Sequence, residues 1–166
     1  MAEERVWRGS VSQWKNLGFF LLQLLVAAAV VIIFSLLWRN SSPEIQKFSP
    51  SILLLLALPI FIASKRYLQT KCTIYEVTNE RLKTSEGVLS KVTDTLEFYR
   101  VKDIERQQPF LYRLCGIENL QLNTSDASSP LVRIEGVPRH LGLADVIRNQ
   151  VEAVRQQKGV REIDVE

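Results

Sequence analysis

The chain falls into an α+β class: an N-terminal two-helix transmembrane hairpin, followed by an antiparallel β domain closed by a C-terminal helix. Three observations predict this. Two long apolar runs lie within the first 70 residues and no comparable run follows. From Lys71 onward the hydrophobic period shortens to two, as in strands. Near the end, Leu143, Val146, Ile147, Val151 and Val154 recur at helical spacing and form one apolar stripe.

The first apolar run, Leu17–Trp38, holds 22 residues without a charge. At about 1.5 Å per residue it spans roughly 33 Å, enough for a hydrocarbon core of about 30 Å. A cleaved signal peptide fits it badly. The leading MAEER carries two acids, the run is too long, and no small-x-small site follows Trp38. Trp7, Trp14 and Trp38 all lie near the expected interfaces, a depth that indole rings favour. Gln23, inside the run, reads as a tolerated amide, with a helix–helix hydrogen bond as the alternative.

The second run, Phe48–Ser64, is shorter, about 26 Å as a helix. Lys47 and Lys65–Arg66 bracket it, and long basic stems can reach the headgroups from a short span. A re-entrant or buried helix is the rival reading. Pro50 suits a first helical turn, whereas Pro59 removes a donor in mid-run and predicts a kink. Arg39–Lys47 reads as a polar hairpin loop. Basic residues number three before the first span, two in the loop and three after the second. That bias places both termini and the β domain in the cytoplasm of a multi-pass chain. The organisation expected is a juxtamembrane lead (1–16), a hairpin (17–68, with spans 17–38 and 48–64), a cytoplasmic domain (69–159) and a flexible tail (160–166).

Within the domain, the expected strands are Thr73–Thr78, Arg81–Glu86, a long or broken Val88–Phe98, Asp103–Gln108, Asn119–Ser125 and Leu131–Gly136. Asn79–Glu80 and Asp126–Pro130 are the turns. In the last two strands Leu120, Leu122, Val132 and Ile134 face inward. Asn119, Gln121, Asn123, Arg133 and Glu135 face outward. Gly159 ends the helix. About 90 residues can bury a modest core, so the strands and helix form one small barrel or sandwich.

Charge and cysteine content exclude several functions. Residues 1–68 hold seven Lys/Arg against three Asp/Glu, and residues 69–166 hold fourteen against fifteen. The basic surplus therefore belongs to the hairpin flanks, which argues against nucleic-acid binding. Cys72 and Cys115, on the expected cytoplasmic side, should stay reduced, and with one histidine they make no zinc site. Cys72 reads as a small residue starting a strand, with acylation as the alternative.

The ordered segments Tyr75-Glu-Val77-Thr78, Arg81-Leu82, Gly87, Arg100-Val101-Lys-Asp-Ile104, Arg113-Leu114-Cys115-Gly116 and Leu120-Gln-Leu122-Asn-Thr124 resemble one family. It is the bacterial membrane-anchored pleckstrin-homology domain family, often called YdbS-like. Trp7-Arg-Gly9-Ser10-Val-Ser12 is similar to the lead of that family. Phe98-Tyr99 departs from it, standing where an Ile-Pro pair is frequent. The resemblance implies a pleckstrin-like antiparallel barrel capped by the C-terminal helix. It implies no activity.

No catalytic, cofactor or metal residues are expected. His140 reads as a solvated turn residue, and no nucleophile elbow, P-loop or dinucleotide fingerprint is present. Asp94 with Glu97, and Asp103 with Glu105, read as solvated faces. Pro109–Gly116 is expected to plug one barrel mouth with Phe110, Leu111 and Leu114, the alternative being a surface loop that grips a partner or dips into the bilayer. The functional expectation is a non-enzymatic interaction module at the cytoplasmic face of the bacterial inner membrane. Its partner is a membrane-complex subunit, with a second copy as another possibility, and Phe110, Leu111, Gln121 and Arg133 are the partner-surface candidates. The alternative is recognition of anionic lipid headgroups by Lys65, Arg66, Lys71, Arg81 and Lys83.

Overall fold

The computed structural model describes residues 3–40 and 49–159. The hairpin loop and the tail expected from the sequence lie outside the described residues, apart from Arg39 and Asn40. The chain forms two compact units. One comprises Asn16–Leu68, and the other joins the residues up to Lys15 to those from Gln69 onward.

The first unit contains α1 (Leu17–Asn40), a 3-10 segment (Ser49–Leu56) and most of α2 (Ala57–Cys72). Two helical stretches, Gln13–Arg39 and Leu53–Cys72, are long and apolar enough to cross a membrane. The kink expected at Pro59 takes another form. The chain changes from 3-10 to α geometry at Ala57. Pro59 then falls in the first turn of α2, where its missing N–H costs little. Helix α2 continues to Cys72, so that residue ends a helix and does not start a strand.

Among the described residues, the second unit carries seven strands in two antiparallel sheets. β1 (Arg5–Ser10), β2 (Ile74–Thr78), β3 (Arg81–Glu86) and β4 (Val92–Glu97) form the first sheet in that order. β5 (Val101–Gln107), β6 (Ile117–Thr124) and β7 (Leu131–Pro138) form the second. A five-residue helix, α3 (Phe110–Leu114), joins β5 to β6, and α4 (Leu143–Lys158) closes the fold. The inward residues of both sheets meet the α4 stripe. Val77, Leu82, Leu96, Phe98, Leu120, Leu122 and Ile134 share one core with Leu143, Ala144, Ile147, Val151 and Val154. Val132 and Val146 are only half-buried. Helix α4 has Asp145 in its first turn and Arg155 and Lys158 in its last, matching its dipole. Gly159, at φ +63°, returns its N–H to the Arg155 and Gln156 carbonyls as the expected stop.

Three details were not legible beforehand. The lead forms β1, paired antiparallel to β2 although the apolar helices lie between them in the chain. Trp7 packs half-buried against the core and so is no interface anchor, while Trp14 and Trp38 stay exposed. Its ring lies where a Cβ on Gly9 would sit, so the Trp-x-Gly pattern serves this packing. The expected strand Val88–Phe98 is shortened to β4. Gly87, at φ +119°, opens a turn in which a Cβ would strike the Ser90 carbonyl. A 3-10 turn at Phe98–Arg100 then separates β4 from β5 and buries Phe98 completely.

Candidate interaction surface

The motif residues hold the domain together at its turns. Thr78 ends β2, and its hydroxyl donates to the Arg81 carbonyl (3.0 Å) and accepts from the Arg81 N–H (3.1 Å), closing the Asn79–Glu80 turn. Thr124 ends β6 likewise. Its hydroxyl donates to the Ser129 carbonyl (2.6 Å) and accepts from the Asp126 N–H (3.1 Å). Arg100 pairs with Asp126 at 2.8 Å across that turn, and the cation together with Ser128 holds the Asp126 carboxyl below its ordinary range, Ser128 being the larger cause. Tyr75, buried, links the sheets: its hydroxyl oxygen accepts the Glu135 N–H at 3.2 Å.

Helix α3 departs from the expected plug. None of its residues is buried; Phe110 is 80% and Leu114 76% exposed, and Leu111 is also open. Its backbone is closed at both ends, by Tyr112 and Arg113 N–H groups on the Pro109 carbonyl and by Cys115 on Leu111. Beside it, Gln108 Nε2 donates to the buried Glu118 carboxylate at 2.9 Å. The helix therefore presents an exposed apolar surface between β5 and β6. Gln121 and Arg133 form a second, polar group. They are register partners on β6 and β7, with Glu105 of β5 completing the row across the outward face. Gln121 Nε2 donates to Glu105 Oε2 at 3.2 Å. Phe110 and Leu111 thus sit on the connecting helix, and Gln121 and Arg133 on the sheet.

Of the five basic candidates, Lys71, Arg81 and Lys83 belong to the β unit, and Lys65 and Arg66 to the helical unit. Register places Arg81 level with Thr78 and Glu97, at the end of the first sheet opposite Ser10 and Ile74. Arg81 and Lys83 both bridge Glu3, at 3.5 and 2.9 Å, and lower its pKa, with the Lys83 hydrogen bond the largest cause. Lys71 is exposed at the end of α2. In the helical unit, Lys65 is exposed, and Arg66 donates to Asn16 Oδ1 at 3.1 Å and lies over the Phe19 ring. His140 stands exposed on a 3-10 turn. Glu97 reaches Lys158 at 3.9 Å, and Asp103 Oδ1 accepts the Ile104 N–H, so these carboxylates engage different neighbours.

Residues 16–159 match the family model described as the bacterial PH domain. The chain belongs to the bacterial PH-domain family. No curated protein and no solved structure gives a match. In this bacterial PH domain the matched span opens after β1, although β1 completes the first sheet. Sequence reasoning missed two exposed features of it. Leu114 was expected to be buried with its neighbours on α3. Val88 and Leu89 were absorbed into a strand, although Gly87 and Ser90-Lys91 were available as turn residues.

Proposed function

We infer that this bacterial PH domain is a non-enzymatic, membrane-anchored module that binds a protein subunit of a membrane complex. Its two apolar helices span the bacterial inner membrane as a hairpin, with both termini and the β domain cytoplasmic. One observation carries the reading: α3 holds Phe110, Leu111 and Leu114 open to solvent on one hydrogen-bonded helical turn. Aromatic anchors of this kind supply much of an interface's energy, and truncating one costs about 1–4 kcal/mol of binding. Purification of the full chain in a gentle detergent should recover a stoichiometric partner that survives moderate salt, since apolar contacts are little screened. Phe110→Ser with Leu114→Ser should abolish the recovery. Unchanged recovery would sink α3 as the docking element.

Headgroup recognition has less support. Arg81 and Lys83 are engaged by Glu3, and Arg81 lies at the sheet end remote from the hairpin connections.

A further inference from the structure

We propose that the β3–β4 turn is a bilayer-contacting tip, inserting Val88 and Leu89 into the lipid interface as a third attachment beside the two helices. The proposal rests on the membrane anchoring inferred above and adds a site distinct from α3. Leu89 is fully exposed, and Val88 and Val92 flank it as open apolar side chains. Apolar side chains grouped in this way at an exposed turn offer a contact surface. The turn is also fixed in shape: Gly87 sits at φ +119°, where any Cβ would strike the Ser90 carbonyl.

Strand register relates this turn to the chain connections that lead to the apolar helices. Ser10 pairs with Ile74, Ile74 with Ser85, and Ser85 with Thr93, so these four positions form one end of the first sheet. The chain leaves that end after Ser10 for the apolar hairpin and returns to it at Ile74. The two crossing points are tied together by the Val11 N–H on the Thr73 carbonyl, 3.4 Å. Residues 11–16 alone separate Ser10 from the apolar run that opens at Leu17. Even fully extended they reach only about 20 Å. A turn at this end of the sheet therefore shares it with both chain connections to the apolar helices. Trp14, in the connecting segment, is 58% exposed, as suits an interfacial indole. The charges near the turn are mixed: Glu86 and Asp94 against Lys91, all exposed. The attraction is accordingly apolar, with Lys91 able to extend its stem toward the headgroups.

The test uses the full chain in phosphatidylcholine nanodiscs at one copy per disc, with Cys72→Ser and Cys115→Ala as background. A single Leu89→Cys carries an environment-sensitive fluorophore, and Glu80→Cys, on the turn at the opposite sheet end, is the aqueous reference. Both variants should melt with the unlabelled parent, since each site is a surface turn. The label at 89 should emit to the blue of the label at 80, be quenched by nitroxide lipids, and resist iodide. Equal iodide quenching at both sites would overturn the proposal. So would protection at 89 that appears only in discs holding two copies or only with a bound protein partner. Loss of the α3-dependent partner with the label at 89 still buried in lipid would remove the docking reading and leave this one standing.

Discussion

Leu120 and Leu122 on β6 are wholly buried, whereas Phe110 and Leu114 on α3, in the same stretch of chain, stand open. The residues are chemically alike, so composition does not separate them. What separates them is the backbone partner. β6 is the central strand of its sheet, paired on both sides, and the pleat forces alternate side chains onto the α4 stripe. Helix α3 is a connection between β5 and β6 and takes no part in strand pairing. Its backbone hydrogen bonds run along the turn itself, from Tyr112 and Arg113 to Pro109 and from Cys115 to Leu111. An apolar pattern spread along a paired strand specifies a core. The same pattern on one helical turn specifies only a local face.

The largest expected effect lies on the buried side of this contrast. Leu122→Ala should destabilise the full chain by about 2–5 kcal/mol, through lost transfer energy and an unfilled cavity. Denaturant unfolding in mild detergent measures it. A loss below about 0.5 kcal/mol, the scale of surface changes, would show that burial at β6 counts for no more than exposure at α3.

How much of this was legible in the sequence follows from the same contrast. Strands β2, β3, β6 and β7 and helix α4 could be read because each shows its period within its own residues. Thr78 and Thr124 marked turns that their hydroxyls do close. β1 escaped because its partner β2 lies beyond the apolar helices in the chain and RVWRGS shows little alternation; Trp7 over Gly9 betrays the inward face. The β3–β4 turn escaped because Val88 and Val92 look like strand residues on both sides of it. The exposure of α3 escaped because helical spacing tells which side chains share a face, not what that face meets. The surface candidates Gln121 and Arg133 were placed correctly on the outward side of the sheet, since alternation fixes that.

A middle-sized effect tests the seam between the sheets. Burial pushes the Tyr75 hydroxyl from an ordinary value of 10.0 up to about 12. The folded state thus keeps a proton that the unfolded chain loses first. Stability from this group is fully present below pH 10 and falls as pH rises toward 12, by roughly 2–3 kcal/mol in total. Tyrosinate absorbance should titrate late for one of the chain's four tyrosines, and Tyr75→Phe should flatten the alkaline loss of stability. Titration of the Tyr75 hydroxyl near its ordinary value of 10.0 would mean that the Tyr75–Glu135 seam is open to water.

The smallest effect on stability belongs to α3, and it sharpens the comparison most. Phe110→Ser removes an aromatic ring that is already mostly in water, so the folded state loses little burial. The change should fall within about 0.5 kcal/mol, the scale of surface substitutions. The helix keeps its closure, because that closure runs through backbone groups at Pro109 and Leu111. The same unfolding assay used for Leu122→Ala decides the matter, with both variants in one detergent. A loss of about 3 kcal/mol or more for Phe110→Ser, the scale of emptying a core site, would mean that the ring is covered in the folded chain. The cover would then come from the protein's own residues, and α3 would be the plug that its sequence suggests. A near-zero loss in stability, together with loss of the co-purifying partner, would instead separate folding from binding at this one side chain.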